Sequence, residues 1–182
     1  MAKAIIVFAE GFEEIEAVTP ADVLRRADVE VELVGLEADE VTGAHGVTFR
    51  MDRVLLRSEE ADAVILPGGL PGAEHLAASE NLAGILRAQL NKGKLVAAIC
   101  ASPAYVLAKH GILDERRATC YPACRDRLAE STTYVDEPVV QTGNVITSQG
   151  PGTALAFALA IARELAGAEK ADELARGMLY AR

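Results

Sequence analysis

Hydrophobic residues in this chain fall into short dense runs separated by longer amphipathic stretches. Ala4–Phe8 (AIIVF), Ala63–Leu66 (AVIL) and Leu95–Ile99 (LVAAI) are continuous apolar runs. A strand reads this way when both faces of its sheet are covered. Val29–Leu36 alternates Val and Glu and reads as a further strand, and Val41–Phe49, holding Gly43 and Gly46, fits a short hairpin. Thr132–Val135, Val139–Gln141 and Val145–Ser148 complete the predicted strands.

The intervening stretches read as helices. The first ends near Ala27. Its Thr19-Pro20 either caps a new helix after a short turn or lies at a kink in a single helix. Asn81–Leu90 is amphipathic and stops at Gly93. Another helix follows Cys100 to about His110, with Gly111 as C-cap and Lys109 and His110 in its last turn. Ala118–Arg127 is irregular, with a short helix after Pro122. Thr153 caps a helix to about Leu165 that is apolar nearly all round, suited to a core or a subunit interface. Lys170–Leu179 is the last helix. Alternating strands and helices predict an α/β fold with a mostly parallel sheet covered on both faces. With no linker, repeat or low-complexity tract in 182 residues, a single domain over 1–182 is expected.

Composition narrows the picture. Hydrophobic residues make up 51% of the chain but aromatics only 4%, so the core is expected to be Val, Ile, Leu and Ala. A net charge of −9 with no Lys or Arg run argues against a nucleic-acid surface. No apolar stretch is long enough to span a membrane, and no signal-peptide pattern is evident. Three cysteines, an odd count, argue against a secreted disulfide framework. The expectation is a cytoplasmic protein with reduced thiols.

In parallel sheets, sites collect beyond the carboxyl ends of the strands. Three features lie there: Glu13–Glu16, the Pro67–Gly72 loop and Cys100. Leu95–Ala104 (LVAAICASPA) reads as a strand, a sharp turn bearing Cys100, and a helix start, the logic of a nucleophile elbow with sulfur in place of oxygen. A helix N-terminus there favours thiolate over thiol. The plain alternative is a buried core cysteine. In Pro67-Gly68-Gly69 the glycines let backbone N–H groups approach closely enough to serve an oxyanion, and the N–H of Ala101 could be a second donor; the plain alternative is a tight turn after a strand. Glu13 and Glu16 share one helical face, and a carboxyl buried beside sulfur stays protonated and can shuttle a proton. Against this stands the ordinary preference of acids for a helix's first turn. That preference accounts for Glu14, and it stays open for Glu13.

No histidine has a distinctive context. His110 lies roughly 15 Å down its helix from Cys100 at ~1.5 Å per residue. His45 falls in the hairpin and His75 after the PGG loop. The site therefore reads as cysteine plus carboxylate rather than a Cys-His-Asp triad. Cys120 and Cys124 lack the two further clustered ligands that zinc needs, so no metal is expected. The glycines after Phe8 and Leu66 form neither a dinucleotide fingerprint nor a P-loop, so no cofactor is expected either.

AAICASP around Cys100, VILPGG at 64–69, GFEEIEA at 11–17 and TSQGPGTALAFAL at 147–159 together resemble the DJ-1/PfpI family, specifically its DJ-1 and YajL branch. The likeness runs over nearly the whole chain. It implies a flavodoxin-like three-layer sandwich and a homodimer with sites near the interface. It also implies an oxidisable Cys100 partnered by protonated Glu16, with oxyanion donors at Gly69 and Ala101. Glu13 matches a second pocket acid, and Pro151 a residue that a partner subunit contributes near the pocket. Two positions depart from relatives. Tyr121 stands where some members have histidine, and it is a poor base with an ordinary pKa of about 10. Ala101 stands where the peptidase-like branch has histidine, which removes that branch's triad. The activities implied are glutathione-independent conversion of methylglyoxal or glyoxal, removal of their early adducts from proteins or nucleotides, redox sensing and chaperone-like holding.

Overall fold

A computed structural model describes residues 1–180. The elements run β1 (Lys3–Phe8), α1 (Glu14–Arg26), β2 (Glu30–Gly35), β3 (Glu40–Thr42), β4 (Thr48–Arg50), β5 (Arg53–Val54) and β6 (Ala63–Leu66). Then come α2 (Gly72–Ala78), α3 (Glu80–Asn91), β7 (Leu95–Ile99), a π-helical turn (Pro103–Leu107), β8 (Arg117–Ala118) and a 3-10 turn (Pro122–Arg127). The chain continues through β9 (Thr133–Tyr134), β10 (Val139–Thr142), β11 (Val145–Ser148), a 3-10 turn (Pro151–Thr153), α4 (Ala154–Ala166) and α5 (Ala168–Gly177).

The three apolar runs are the buried centre of a seven-stranded sheet, ordered β10-β11-β7-β6-β1-β2-β5 and parallel except for β10. Successive side chains of a strand point to opposite faces. On one face Ala4, Ile6, Phe8, Ile65, Ala97 and Ile99 pack with Leu24 of α1, Phe157 and Ile161 of α4 and Ala171 of α5. On the other, Ile5, Val7, Val64, Leu66, Val96 and Ala98 pack with Leu76 of α2, Leu82 and Leu86 of α3, and Val106 and Leu107 of the π-helical turn. This doubly covered sheet is the expected three-layer α/β sandwich. From β1 the chain builds outward to β2 and β5, then returns to β6 and builds the other way through β7 and β11. The order therefore reverses between β1 and β6, where a crevice opens beyond the strand ends.

Phenylalanine fixes the loop that leaves β1. Phe12 meets Phe8 edge-on at 4.8 Å and Phe49 of β4 at 5.7 Å. Such pairs contribute about 0.5–1.5 kcal/mol each beyond burial. They lock residues 9–12 against the β3–β4 hairpin and so set where α1 begins.

Several expectations are corrected or resolved. Helix α1 runs unbroken through buried Pro20, so Thr19 is not a cap but mid-helix. The expected helix after Cys100 is a single π-helical turn followed by turns. Lys109 Nζ and His110 Nε2 bond Ala77 O at 2.7 and 3.3 Å, so they cover the carboxyl end of α2 rather than that of their own segment. Thr153 makes no side-chain cap to α4; its hydroxyl bonds Gly150 and Ser148 instead.

Candidate functional site

Each of three strands ends at the crevice and delivers one part of the site. After β1, Glu13 caps α1, its Oε2 accepting from Glu16 N at 2.8 Å. Glu16, less than one turn later on the inner face, is fully buried. Its Oε2 accepts from Gly68 N at 2.8 Å, while Oε1 has no hydrogen-bond partner among the described residues. Burial lifts the Glu16 carboxyl from 4.5 to about 7, the Cys100 thiol and Gly68 N–H pull it down, and the charge of Glu13 pushes it up again. Near neutral pH Glu16 therefore both holds and releases a proton.

After β6, Gly68 and Gly69 pass under this carboxyl. A Cβ on Gly68 would lie 2.7 Å from Cys100 Cβ, 2.8 Å from Glu16 Oε2 and 2.9 Å from Ala101 N. Only glycine lets the three elements meet there. Gly69 adopts φ +85°, which glycine reaches without strain. Gly68 O accepts from Glu13 N at 3.0 Å, tying the loop back to the start of α1.

After β7, Cys100 takes a left-handed conformation at φ +63°. That conformation costs a non-glycine residue roughly 1–2 kcal/mol. Two backbone bonds hold it: Cys100 N donates to Ser148 O at 2.9 Å, and Tyr121 N donates to Cys100 O at 2.8 Å. The sharp turn thus matches the predicted elbow. The predicted helix dipole does not, because a five-residue π-helical turn stands where a regular helix was expected. Burial, the charge of Glu16 and its contact with the thiol raise the Cys100 pKa, while the N–H groups of Gly69 and Ala101 lower it. The expectation that the turn favours thiolate over thiol is corrected accordingly. Cys100 and Glu16 compete for protons and titrate as a pair.

Glu13, Glu16, Gly68, Gly69, Cys100 and Ala101 thus come together. Tyr121 lies beside them, exposed, its ring carbons 3.4 and 3.8 Å from where a Cβ on Gly150 would sit and Glu16 Oε1 4.0 Å from the same point. Pro151 follows at the half-buried start of a 3-10 turn. The histidines are engaged elsewhere: His45 with Glu14 at 2.8 Å, His75 with Glu10 O at 3.0 Å, and His110 with α2. Glu14 is more than a first-turn acid. It accepts from His45 N at 2.7 Å and Val47 N at 3.4 Å and so clamps the hairpin turn. Glu13, Glu14 and His45 bring possible metal-ligand atoms within 4.8 Å of one another. Cys120 and Cys124 are buried thiols, and burial raises the pKa of both, Cys120 to about 12. Sequence reasoning missed buried Ser102, which donates to Pro67 O at 2.6 Å. A serine before proline carries no signal of a partner 35 positions away.

Residues 2–164 match the model of the DJ-1/PfpI family. The Drosophila melanogaster protein dj-1beta is 46% identical over 98% of this chain and 97% of its own length. A Caenorhabditis elegans protein named glutathione-independent glyoxalase DJR-1.2 is 38% identical over 98% of this chain and 96% of its own. Among solved structures, oxidized Toxoplasma gondii DJ-1 superposes with a TM-score of 0.96 at 37% identity, covering 100% of both chains. The flavodoxin-like fold expectation holds with these neighbours. Motifs, sheet order and overall similarity agree, and the chain belongs to the DJ-1/PfpI family.

Proposed function

We propose that the chain is a cysteine-dependent, glutathione-independent glyoxalase acting on small 2-oxoaldehydes such as methylglyoxal. The observation that carries this reading is the buried Cys100–Glu16 pair facing two backbone N–H donors. The name of the Caenorhabditis elegans relative supports it. In the proposed reaction the Cys100 thiol gives its proton to the Glu16 carboxylate as sulfur attacks the aldehyde carbon. The resulting oxyanion is stabilised by the N–H groups of Gly69 and Ala101 and then protonated to a hemithioacetal. Glu16 next takes the proton from that carbon and returns it to the adjacent one, giving a thioester of the 2-hydroxy acid. Water releases the acid and restores the thiol, so methylglyoxal plus water becomes lactate. A carboxyl with a pKa of about 7 is suited to both taking and giving that proton. Early adducts of the same aldehydes on amines are a further substrate class within the proposal, with the amine as leaving group.

Lactate formation from methylglyoxal without glutathione is the test. Turnover by Cys100→Ser protein equal to that of the unchanged chain refutes the reading, and Glu16→Gln is expected to lose activity as well. A homodimer belongs to the same proposal. Ile15 and Val18 on α1 and Val47 in the hairpin turn are exposed apolar residues of a kind an interface covers. Sedimentation at a monomer mass at micromolar concentration refutes it.

One observation favours a second role, redox sensing. A carboxyl that still carries a proton near pH 7 faces the Cys100 sulfur and can donate to an oxidised sulfinate. Mild peroxide is expected to add oxygen at Cys100. Equal oxidation at Cys120 and Cys124, read by mass spectrometry, counts against the role.

A further inference from the structure

The two N–H donors that face the Cys100 sulfur come from different loops. Gly69 belongs to the loop after β6 and Ala101 to the turn after β7. Each loop is anchored separately. The first is held through Gly68 to Glu16 Oε2 and Glu13 N, and through Gly69 O to Ala73 N at 2.9 Å. The second is held through Cys100 to Ser148 O and Tyr121 N. The β6–β7 ladder ends at Leu66 and Ala98, before either loop begins. Beyond it, Ser102 Oγ donates to Pro67 O at 2.6 Å and joins the loops directly, in addition to the Gly69 N–H that faces the Cys100 sulfur. Ser102 is fully buried, so no water competes for its hydroxyl, and a buried hydroxyl without a partner is costly.

We propose that Ser102 is a positioning residue whose hydroxyl clamps the Pro67–Gly69 loop to the Cys100 turn and thereby sets the spacing of the Gly69 and Ala101 N–H groups around the sulfur. The clamp sits one residue past Ala101 and two residues before Gly69, so slack in it reaches both donors with little backbone between to absorb it. Oxyanion donors act only when held at hydrogen-bonding distance from the developing charge. The hydroxyl of Ser102 is spent on Pro67 O, so it acts through these two groups.

Ser102→Ala tests this, since it removes one atom and introduces no clash. The first measurement is the rate of Cys100 alkylation by iodoacetamide across pH 6–10, with the modified residue located by mass spectrometry. Thiolate held less well by the N–H donors forms at higher pH, so the rate–pH curve is expected to move up and the rate at pH 8 to fall about fivefold. The second is turnover of methylglyoxal, which rests on the proposed function. There kcat is expected to fall about tenfold with KM within about twofold, as befits loss of stabilisation made only in the transition state. A variant that melts at lower temperature but keeps the wild-type rate–pH curve overturns the proposal and leaves Ser102 a plain structural bond. If the unchanged chain turns over no oxoaldehyde, the glyoxalase reading fails alone, and the alkylation curve still decides the role of Ser102.

Discussion

Replacing Glu16 by Gln should make the protein more stable at neutral pH while disabling the pair. Burial lifts the Glu16 carboxyl from 4.5 to about 7. Between those values the folded chain keeps a proton on Glu16 that the unfolded chain has released. Stability therefore falls as pH rises through that window, and the full penalty is present above about pH 7. At 1.36 kcal/mol per pKa unit the cost is about 3 kcal/mol. Gln carries no charge to bury, and its carbonyl can still accept from Gly68 N. Its advantage should be near zero at pH 4.5 and grow to about 3 kcal/mol by pH 8, or about 6–12 °C in Tm for a chain of this size. Paired thermal or urea melts of the two proteins every half pH unit give the difference directly. Other carboxylates titrate alike in both and cancel. A Tm gap that stays constant from pH 4.5 to 8 would refute the raised carboxyl, and with it the proton-holding role of Glu16. A variant that is more stable yet inactive is the expected signature of a strained functional group.

Gly68→Ala places a methyl 2.7 Å from Cys100 Cβ and 2.8 Å from Glu16 Oε2. It should cost about 1–3 kcal/mol in urea unfolding and slow Cys100 alkylation; a neutral effect on both would contradict the close approach. At position 100 the usual order of Ala over Gly should invert. Cys100→Gly should unfold at no lower urea concentration than Cys100→Ala, because φ +63° is free of strain for glycine but not for alanine. Glu14→Ala should speed amide exchange at His45 and Val47, which lose their acceptor, while exchange in β1 and β7 stays as it was. The ion pair adds a pH dependence. Glu14 raises the His45 pKa, so the clamp is strongest while His45 is protonated and weakens as pH rises through that raised value.

What was legible in the sequence was whatever depends on near neighbours along the chain. The apolar runs marked β1, β6 and β7 because each strand's own residues must be apolar on both faces. Cys100 and the PGG loop stood out because turns demand particular residues at strand ends. The two-residue strand β5 and the short helix α2 were missed for the same reason in reverse. Arg53 is held in place by carboxylates of Glu32 and Glu59, and α2 starts at Gly72 with no side-chain cap from Pro71 before it. Neither leaves a periodic trace. The error about Cys100 is the more instructive one. A cysteine at a strand–helix turn earns a lowered pKa only if a regular helix supplies aligned dipoles and water or cations share the site. Here the turn is π-helical, Cys100 is 9% exposed, and the ionisable group acting on its thiol is the acid Glu16. Burial and the acid raise the pKa of the thiol, and no regular helix offsets them. The capacity for chemistry therefore resides in the Cys100–Glu16 pair, whose single mobile proton neither residue discloses alone, and it exists only because Gly68, from a third strand end, leaves room for both.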